Sequence, residues 1–189
     1  AAVLASSRSP SEGAIWSSPS AARMLAIFLH GYTMDAEDLK PMAAALGLPA
    51  VIWFPRGPVA VPGRGRSWWP VDDERRSAQL RAGARDLHAE YPRGRSGARL
   101  LLRSLIEEVR AAHPGLPLFL VGFSQGGMLA CETALLEPVD VDGLALLSSS
   151  RLASADWNQG KGLENMPVFV SHGRNDPNIS FSAGEELRD

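Results

Sequence analysis

The stretch Leu118-Phe119-Leu120-Val121-Gly122-Phe123-Ser124-Gln125-Gly126-Gly127 decides the fold that this sequence predicts. It opens as a short apolar run, which is typical of a buried parallel strand, and it continues into a helical pattern. Ser124 stands at the junction, and Gly122 and Gly126 leave room around it for a sharp turn. A strand, a turn and a helix in this order predict a nucleophile elbow, which exposes a serine hydroxyl above the sheet. The alternative is an ordinary tight turn in a domain without catalysis.

The alternation of apolar runs and helical patterns extends over the rest of the chain. Because the apolar runs end in turn residues and helices separate them, we predict a mostly parallel sheet with helices on both faces, which is an α/β fold. The strands are predicted at Met24–His30, Ala50–Pro55, Pro117–Phe123, Gly143–Ser148 and Pro167–His172. The helices are predicted at Asp35–Leu46, with Asp35 as the N-cap, and at Ala98–His113, Gln125–Leu136 and Phe181–Asp189.

Composition limits the number of domains and the classes of partner. The 189 residues fit one domain, and 45% hydrophobic with 21% charged residues is ordinary for a globular protein. Residues 1–22, rich in Ala, Ser and Pro, are predicted to be a flexible leader, and residues 23–189 form the domain. A net charge of −2 predicts no nucleic-acid partner, and the absence of a long apolar run predicts no stable membrane insertion. Cys131 is the single cysteine, which fits a cytoplasmic location.

A second pattern, Leu29-His30-Gly31-Tyr32, follows the first predicted strand. A hydrolase that forms an acyl intermediate needs two backbone N–H groups aimed at the oxyanion of the tetrahedral intermediate. Gln125, directly after the serine, would supply one of them. Tyr32 would supply the other, because Gly31 allows the backbone to turn toward the site. The alternative for His30 is a residue that simply ends a strand.

A third pattern, Ser171-His172-Gly173-Arg174-Asn175-Asp176-Pro177, follows the last predicted strand. The acid of a catalytic triad orients an imidazole and stabilises its protonated form, and in this chain order it follows the serine. Asp176 has that place, and we predict that it is the triad acid. The alternative is a structural Asp-Pro turn, which is common in loops.

The three patterns together resemble the phospholipase/carboxylesterase family of α/β-hydrolases, which includes the acyl-protein thioesterases. Gly122-Phe123-Ser124-Gln125-Gly126-Gly127 is close to that family's own elbow, and the resemblance spans about Met24 to Asp189. It implies a serine hydrolase without a cofactor that acts on small-molecule carboxylic esters or thioesters. It also implies an oxyanion hole at Tyr32 and Gln125, and a substrate-binding loop that carries Trp68-Trp69.

The general base is the missing part of the pattern. In this fold the triad histidine follows the acid, but residues 177–189 contain no histidine. We therefore expect that the chain ends before the histidine and before the last strand and helix of the fold, which leaves only residual catalysis. The alternative is that His30 or His172 replaces the base, whereas His88 and His113 are predicted on the surface. The histidines lack the spacing of metal ligands, so no metal site is predicted.

For two segments, the residues by themselves do not indicate a specific chemistry. Pro55–Pro70 is a long segment rich in proline, glycine and arginine, and such loops are usually functional or disordered. We expect its tryptophans to be exposed, so that they contact either the substrate or a second copy of the chain in a homodimer. The arginine-rich segment Arg75–Arg103 is predicted to be a solvated helical surface, with an anion-binding face as the alternative.

Three functions are consistent with these patterns. The first is a carboxylesterase that cleaves short- to medium-chain esters through an acyl-enzyme on Ser124. The second is an acyl thioesterase or lysophospholipase. The third is a catalytically silent hydrolase fold that serves as a binding module, because the triad histidine is absent.

Overall fold

The computed structural model describes residues 22–160 and 163–188, together with two short strands at residues 4–5 and 14–17. The strands are β1 (Leu4–Ala5), β2 (Ala14–Ser17), β3 (Met24–Leu29), β4 (Ala50–Phe54), β5 (Val59–Val61), β6 (Gly65–Ser67), β7 (Leu118–Phe123), β8 (Gly143–Leu147) and β9 (Val168–Ser171). The α-helices are α1 (Lys40–Leu46), α2 (Asp73–Ala82), α3 (Arg95–Ala112), α4 (Gln125–Leu136) and α5 (Phe181–Arg188). Short 3-10 helices span Ala36–Leu39 and Ser154–Gln159.

Seven of the strands form one sheet in the order β1-β2-β4-β3-β7-β8-β9, and β5 pairs with β6. From β4 to β9 the neighbouring strands of this sheet are parallel, whereas β1 and β2 pair antiparallel at one edge. Because parallel strands end at the same edge of a sheet, the segments that follow β3, β7 and β9 leave it together. The predicted α/β fold with a mostly parallel sheet is confirmed.

Alternate residues of the central strand β3 supply the two faces of the sheet. Leu25, Ile27 and Leu29 pack in the larger core with residues of α3, α4 and α5. Ala26 and Phe28 pack in a second core with the helical residues that follow β3. Since successive side chains of a strand point to opposite faces, helices cover both sides of the sheet, as predicted.

The strands and helices predicted individually are present, with small shifts at their ends. The arginine-rich segment Arg75–Arg103, predicted to be helical, is helical only in part, because α2 ends at Ala82 and α3 begins at Arg95. Asp35 caps a helix as expected, because its side chain accepts a hydrogen bond from the N–H of Ala36. The helix itself is divided into the 3-10 helix Ala36–Leu39 and α1, and Pro41 lies in the first turn of α1. Proline is well accommodated there, because the first N–H groups of a helix have no intrahelical partner.

Most of the predicted leader, residues 1–22, lies outside the described residues. Two short pieces of it belong to the sheet, and β2 pairs with β4 from Ala14 opposite Phe54 to Ser17 opposite Val51. The sheet therefore extends into the segment predicted to be flexible. For the remaining residues the leader stays a prediction.

The segment Pro55–Pro70 contains an ordered hairpin. β5 and β6 pair antiparallel from Val59 opposite Ser67 to Val61 opposite Gly65. The expectation that its tryptophans are exposed is wrong: Trp68 is 5% and Trp69 is 3% exposed, because both indoles pack into the larger core. A homodimer stays a prediction, but exposed tryptophans no longer support it.

The helix α4, directly after Ser124, lies at the centre of the domain. Every residue from Gln125 to Leu135 is buried, because β3, β7, β8 and α3 all pack against this helix. A helix that is covered on all sides is typical of a domain core. In the described part of the chain, no helix has both the length and the apolar character needed to cross a bilayer.

Candidate active site

Ser124 occupies a strained turn between β7 and α4. Its φ of 51° and ψ of −114° lie outside the regions that residues with a side chain normally adopt. The surroundings hold this conformation: the Ser124 N–H donates to Leu147 O at 2.9 Å, and Ser124 O accepts from the N–H groups of Gly127 and Met128 at 3.0 and 3.1 Å. Strain of this kind is typical of functional sites, where the surrounding structure fixes the backbone. The predicted strand–turn–helix geometry is present.

The glycines around Ser124 are required by contact with neighbouring backbone. A Cβ atom on Gly126 would lie 2.1 Å from Leu29 O, and one on Gly122 would lie 2.4 Å from Gly126 O. A Cβ on Gly127 would lie 2.7 Å from the Oγ of Ser149. The turn can therefore approach β3 this closely only because these positions have no side chain.

The residues predicted to supply the oxyanion donors lie near Ser124. Tyr32, Ser124 and Gln125 line the same cavity. Among the described residues, neither the Tyr32 N–H nor the Gln125 N–H donates a hydrogen bond. The loop that carries Tyr32 is held by β6, because the Thr33 N–H donates to Arg66 O at 2.9 Å and the Arg66 N–H donates to Met34 O at 3.0 Å. Two free donors beside a serine hydroxyl can bind an oxyanion.

The Tyr32 side chain is fixed to the first turn of α2. Its hydroxyl donates to Oδ1 of Asp73 at 2.7 Å, and Asp73 also binds Arg64. The contact with Arg64, followed by that with Tyr32, lowers the pKa of Asp73, whereas burial and then Asp73 raise the pKa of Tyr32. Tyr32 is therefore a neutral hydrogen-bond donor, and its ring forms part of the cavity wall.

His30 connects the end of β3 to the hairpin segment. Its Nε2 accepts a hydrogen bond from the Gly57 N–H at 2.9 Å, so the proton of the neutral ring is on Nδ1, 2.8 Å from Gly31 O. Its imidazole stacks on the Trp68 indole with ring centroids 5.0 Å apart, and its carbonyl accepts from Trp68 Nε1 at 2.8 Å. Both ring nitrogens are engaged, so His30 has a structural role beneath the site.

A pH dependence of stability follows from the environment of His30. Burial lowers the pKa of its imidazole, and this effect exceeds the opposing ones of Gly31, Asp35 and Asp38. Below about pH 6.5 the unfolded chain binds a proton that the folded chain resists, so the folded state loses stability as pH falls. We expect wild type to lose about 1 kcal/mol more than His30→Gln between pH 7 and pH 5.5. Urea unfolding at the two pH values measures the difference, and equal losses would contradict this role of His30.

The Trp68-Trp69 segment is fixed by the side chain of Gln125. Oε1 of Gln125 accepts from the Trp68 N–H at 2.9 Å, and its Nε2 lies 3.4 Å from Trp69 O. Trp69 lines the cavity, and its role in substrate binding stays a prediction. Trp68 does not line it, because its indole packs against His30 behind the wall.

The cavity beside Ser124 has a volume of about 530 Å³. Its apolar wall consists of Trp69, Val71, Leu87, Met128 and Leu152. Arginine and carboxylate residues from the N-cap and body of α2 and from the segment 85–93 also line it. The cavity therefore combines an apolar surface with charged groups around the serine.

Asp176 organises the turn after β9 and does not line this cavity. Its Oδ1 accepts from the N–H groups of Asn178 and Ile179 at 2.8 and 3.1 Å. Its Oδ2 lies 3.8 Å from Nε2 of His172, and that nitrogen is also 3.0 Å from Ile179 O. Because a carbonyl oxygen only accepts, His172 donates from Nε2, and its ring packs within the turn. Both backbone N–H donors bind Oδ1 of Asp176, so its Oδ2 accepts none of them.

A family model described as phospholipase/carboxylesterase matches residues 11–189. The chain belongs to the phospholipase/carboxylesterase family. This membership confirms the resemblance drawn from the sequence patterns, and it indicates a hydrolase of the esterase or thioesterase type. Among curated protein sequences, none matches the chain significantly.

Several solved structures have the same fold as this chain. Esterase PE8 is 25% identical with a TM-score of 0.74, and the match covers 97% of this chain and 81% of that one. Acyl-protein thioesterase 2 of Zea mays is 17% identical with a TM-score of 0.70, over 91% of this chain and 80% of that one. The carboxylesterase of Bacillus cereus is 19% identical with a TM-score of 0.67, over 92% and 76%. At their lower identity, the last two show the fold alone.

All four histidines of this chain lie among the described residues, and none of them lines the cavity beside Ser124. His113 packs edge-on against Trp53 at 5.4 Å, and His88 is half-exposed. His88, Asp86 and Glu186 each place one potential ligand atom within 4.8 Å of the others, which their sequence spacing did not indicate. Asp86 and His88 are exposed, and Glu186 is already paired with Arg151.

Two roles near the site could not be found from sequence. The Gln125 side chain holds the Trp68 backbone, and the His30 ring holds Gly57. Each contact joins residues that are far apart in the chain, so no local pattern indicates it. The hydrogen bonds between Arg66 of β6 and the segment after β3 place the Trp68 segment there, and these too join residues far apart in the chain.

Proposed function

We propose that this chain is a serine carboxylesterase that cleaves short- to medium-chain carboxylic esters through an acyl-enzyme on Ser124. The observation that carries the proposal is the strained Ser124, which faces a cavity beside the unbonded N–H groups of Tyr32 and Gln125. A structural turn has no need of a left-handed serine or of free backbone donors. Both features are needed for nucleophilic attack on a carbonyl.

In the proposed reaction, Oγ of Ser124 attacks the ester carbonyl carbon as its proton passes to a base. The carbonyl oxygen becomes an oxyanion and accepts hydrogen bonds from the N–H groups of Tyr32 and Gln125. Each such donor is worth roughly 10²–10³ in kcat, and the N-terminus of α4 further favours the negative charge. The base returns this proton to the alcohol as the ester C–O bond breaks. Water then attacks the acyl carbonyl carbon, which releases the carboxylic acid and restores the Ser124 hydroxyl.

The proposal assigns the base to none of the four histidines. His30 accepts from Gly57, His172 donates to Ile179, and no histidine lines the cavity. Asp176 is proposed as the acid that orients an imidazole. Its position after β9, at the sheet edge where Ser124 follows β7, and its Oδ2 free of backbone donors support this role.

Cys131 does not compete with Ser124 as the nucleophile. It lies inside α4 and is buried, and burial raises the pKa of its thiol to about 12. Because the thiolate is the reactive form, a thiol with this pKa is almost unreactive at neutral pH.

Covalent labelling tests the proposal. A fluorophosphonate probe is expected to label Ser124 in the wild-type chain, because the N–H groups of Tyr32 and Gln125 stabilise the oxygen of the attacked phosphonyl group. Ser124→Ala should reduce labelling to background. Intact-mass measurement after mixing with para-nitrophenyl butyrate should detect an acyl adduct in wild type alone. Ser104→Ala, on the exposed side of α3, is the matched control and should label like wild type.

Equal labelling and equal butyrate hydrolysis by wild type and Ser124→Ala would overturn the proposal and favour a silent binding module. The apolar cavity wall at Trp69, Met128 and Leu152 supports an acyl group on either an ester or a thioester, so a thioesterase is the second candidate. A chain-length series on matched esters and thioesters separates the two, and we expect higher kcat/KM for the esters.

A further inference from the structure

The cavity beside Ser124 carries an excess of positive charge. Four arginines line it: Arg75, Arg76, Arg85 and Arg93. The carboxylates that line it are Asp72 and Glu90, and both are already engaged. Asp72 caps α2 by accepting from the Arg75 N–H at 2.9 Å, and Glu90 pairs with the Arg75 guanidinium at 2.8 Å. In the described part of the chain, none of the other three arginines forms an ion pair with either carboxylate.

Arg76 and Arg85 meet at one neutral residue. Nη2 of Arg76 donates to Oδ1 of Asn178 at 2.9 Å, and Nε of Arg85 lies 3.3 Å from Asn178 O. Within the described ranges, neither guanidinium has a carboxylate at ion-pair distance. Arg76 also lies over the Tyr32 ring, with its central carbon 5.5 Å from the ring centroid. The pair is thus next to the proposed oxyanion loop.

The backbone holds Arg85 in this position. Its N–H donates to Asn178 O at 3.1 Å, and its carbonyl accepts from the Ser180 N–H at 2.9 Å. Asn178 is fixed in turn by Asp176, whose Oδ1 accepts its N–H. The two guanidinium groups are therefore pre-positioned by the turn after β9.

Two like charges that share one neutral partner destabilise each other. Burial lowers the pKa of Arg85, the neighbouring Arg76 lowers it further, and the more weakly acting Glu90 opposes this shift without cancelling it. An anion bound between them would remove this repulsion, and guanidinium groups present paired donors that match a carboxylate or a phosphate.

We propose that Arg76 and Arg85 form an anion subsite, so that the preferred substrate of Ser124 is an ester that carries a carboxylate or phosphate group. This inference rests on the proposed function of Ser124, and it defines the class of ester. The apolar part of the substrate packs against Trp69, Met128 and Leu152, and the anionic group lies on the arginine side of the same cavity. The arginine-rich segment thus includes the anion-binding face that was the alternative interpretation of its sequence.

Kinetics on matched substrates test the subsite. We compare kcat/KM for para-nitrophenyl hemiadipate, which ends in a carboxylate, with that for para-nitrophenyl hexanoate, which has the same number of carbons. Wild type should favour the anionic ester, and Arg85→Gln and Arg76→Gln should each lower the ratio about tenfold, because a charge-assisted hydrogen bond is lost. Arg85→Lys should retain part of the preference.

Arg81→Gln is the matched control, because Arg81 lies on α2, is exposed and does not line the cavity. Its ratio should equal that of wild type, and added salt should reduce the ratio in wild type because salt screens the charges. A wild-type ratio near unity that none of the arginine variants changes would overturn the subsite.

A binding measurement separates the subsite from the chemistry. Adipate and inorganic phosphate are titrated calorimetrically into Ser124→Ala, which needs no turnover, and Arg85→Gln in the same background should weaken binding about tenfold. Adipate binding identifies a carboxylate site, and phosphate binding identifies a phosphate site. Absence of both overturns the inference. Equal hexanoate hydrolysis by wild type and Ser124→Ala would instead refute the proposed function while leaving anion binding intact.

Discussion

Gly126→Ala is expected to lower the free energy of unfolding by about 3 kcal/mol, because the new methyl group has no space. Its Cβ would lie 2.1 Å from Leu29 O and 2.7 Å from His30 O, and both are backbone atoms at the end of the central strand β3. Neither α4 nor β3 can move aside, since both are buried on all sides. Urea unfolding of wild type and variant measures the loss.

Gly97→Ala is the control for this prediction. Gly97 lies in α3 on the exposed surface, and a Cβ there would meet no atom within 4 Å. Because alanine is the better helix former, Gly97→Ala should raise the free energy of unfolding by about 0.5 to 1 kcal/mol. A loss below 1 kcal/mol for Gly126→Ala would mean that the elbow can relax, and the argument from close contact would fail.

Glu132→Ala is expected to lower the free energy of unfolding by a similar amount, about 3 kcal/mol. Glu132 lies on α4, is fully buried, and binds Arg95; its Oε2 is 3.6 Å from Nη1 of Arg99. Burial raises the pKa of this carboxyl, and the two arginines of α3 oppose that shift by favouring the charged form. Both guanidinium groups are largely buried. Without the Glu132 carboxylate, Arg95 would pair with Asp156 alone and Arg99 with Glu137 alone.

The control for Glu132 is the exposed ion pair on the outer side of α3. Glu107 is 58% exposed and pairs with Arg103 one helical turn away at 2.9 Å. Because solvent screens such a pair, Glu107→Ala should cost less than about 0.5 kcal/mol. Chemical unfolding of both variants gives the comparison. Equal small losses would show that the Glu132 network adds no stability.

Much of the fold could be predicted because its signals are local. The apolar run Leu118–Phe123 and the glycines around Ser124 indicate both a strand and the turn that follows it, and the structure has both. The hairpin β5–β6 was missed, because Pro55–Pro70 has no alternating apolar pattern. Its pairing is stabilised by contacts with the loop after β3, such as the Arg66 N–H to Met34 O.

The candidate site could be predicted only in part, for the same reason. Ser124, Tyr32 and Gln125 follow strands in recognisable motifs, and the parallel sheet brings them to one edge. The anion subsite joins Arg76 and Arg85 to Asn178, which lies 102 and 93 residues later, so composition indicated the arginines but not their arrangement. The burial of Trp68 could not be predicted from sequence either, because its indole stacks on the ring of His30, a distant residue in the chain.

The complete burial of α4 has a consequence for how this protein can evolve. Helix α4 and the strand before Ser124 belong to the core, so substitutions there are constrained by packing. The charged wall of the cavity comes from α2 and the segment 85–93, where most side chains are exposed or half-buried. Exposed positions tolerate change far better than core positions. New substrate preferences can therefore arise by mutation of the wall while the nucleophile and its turn remain the same.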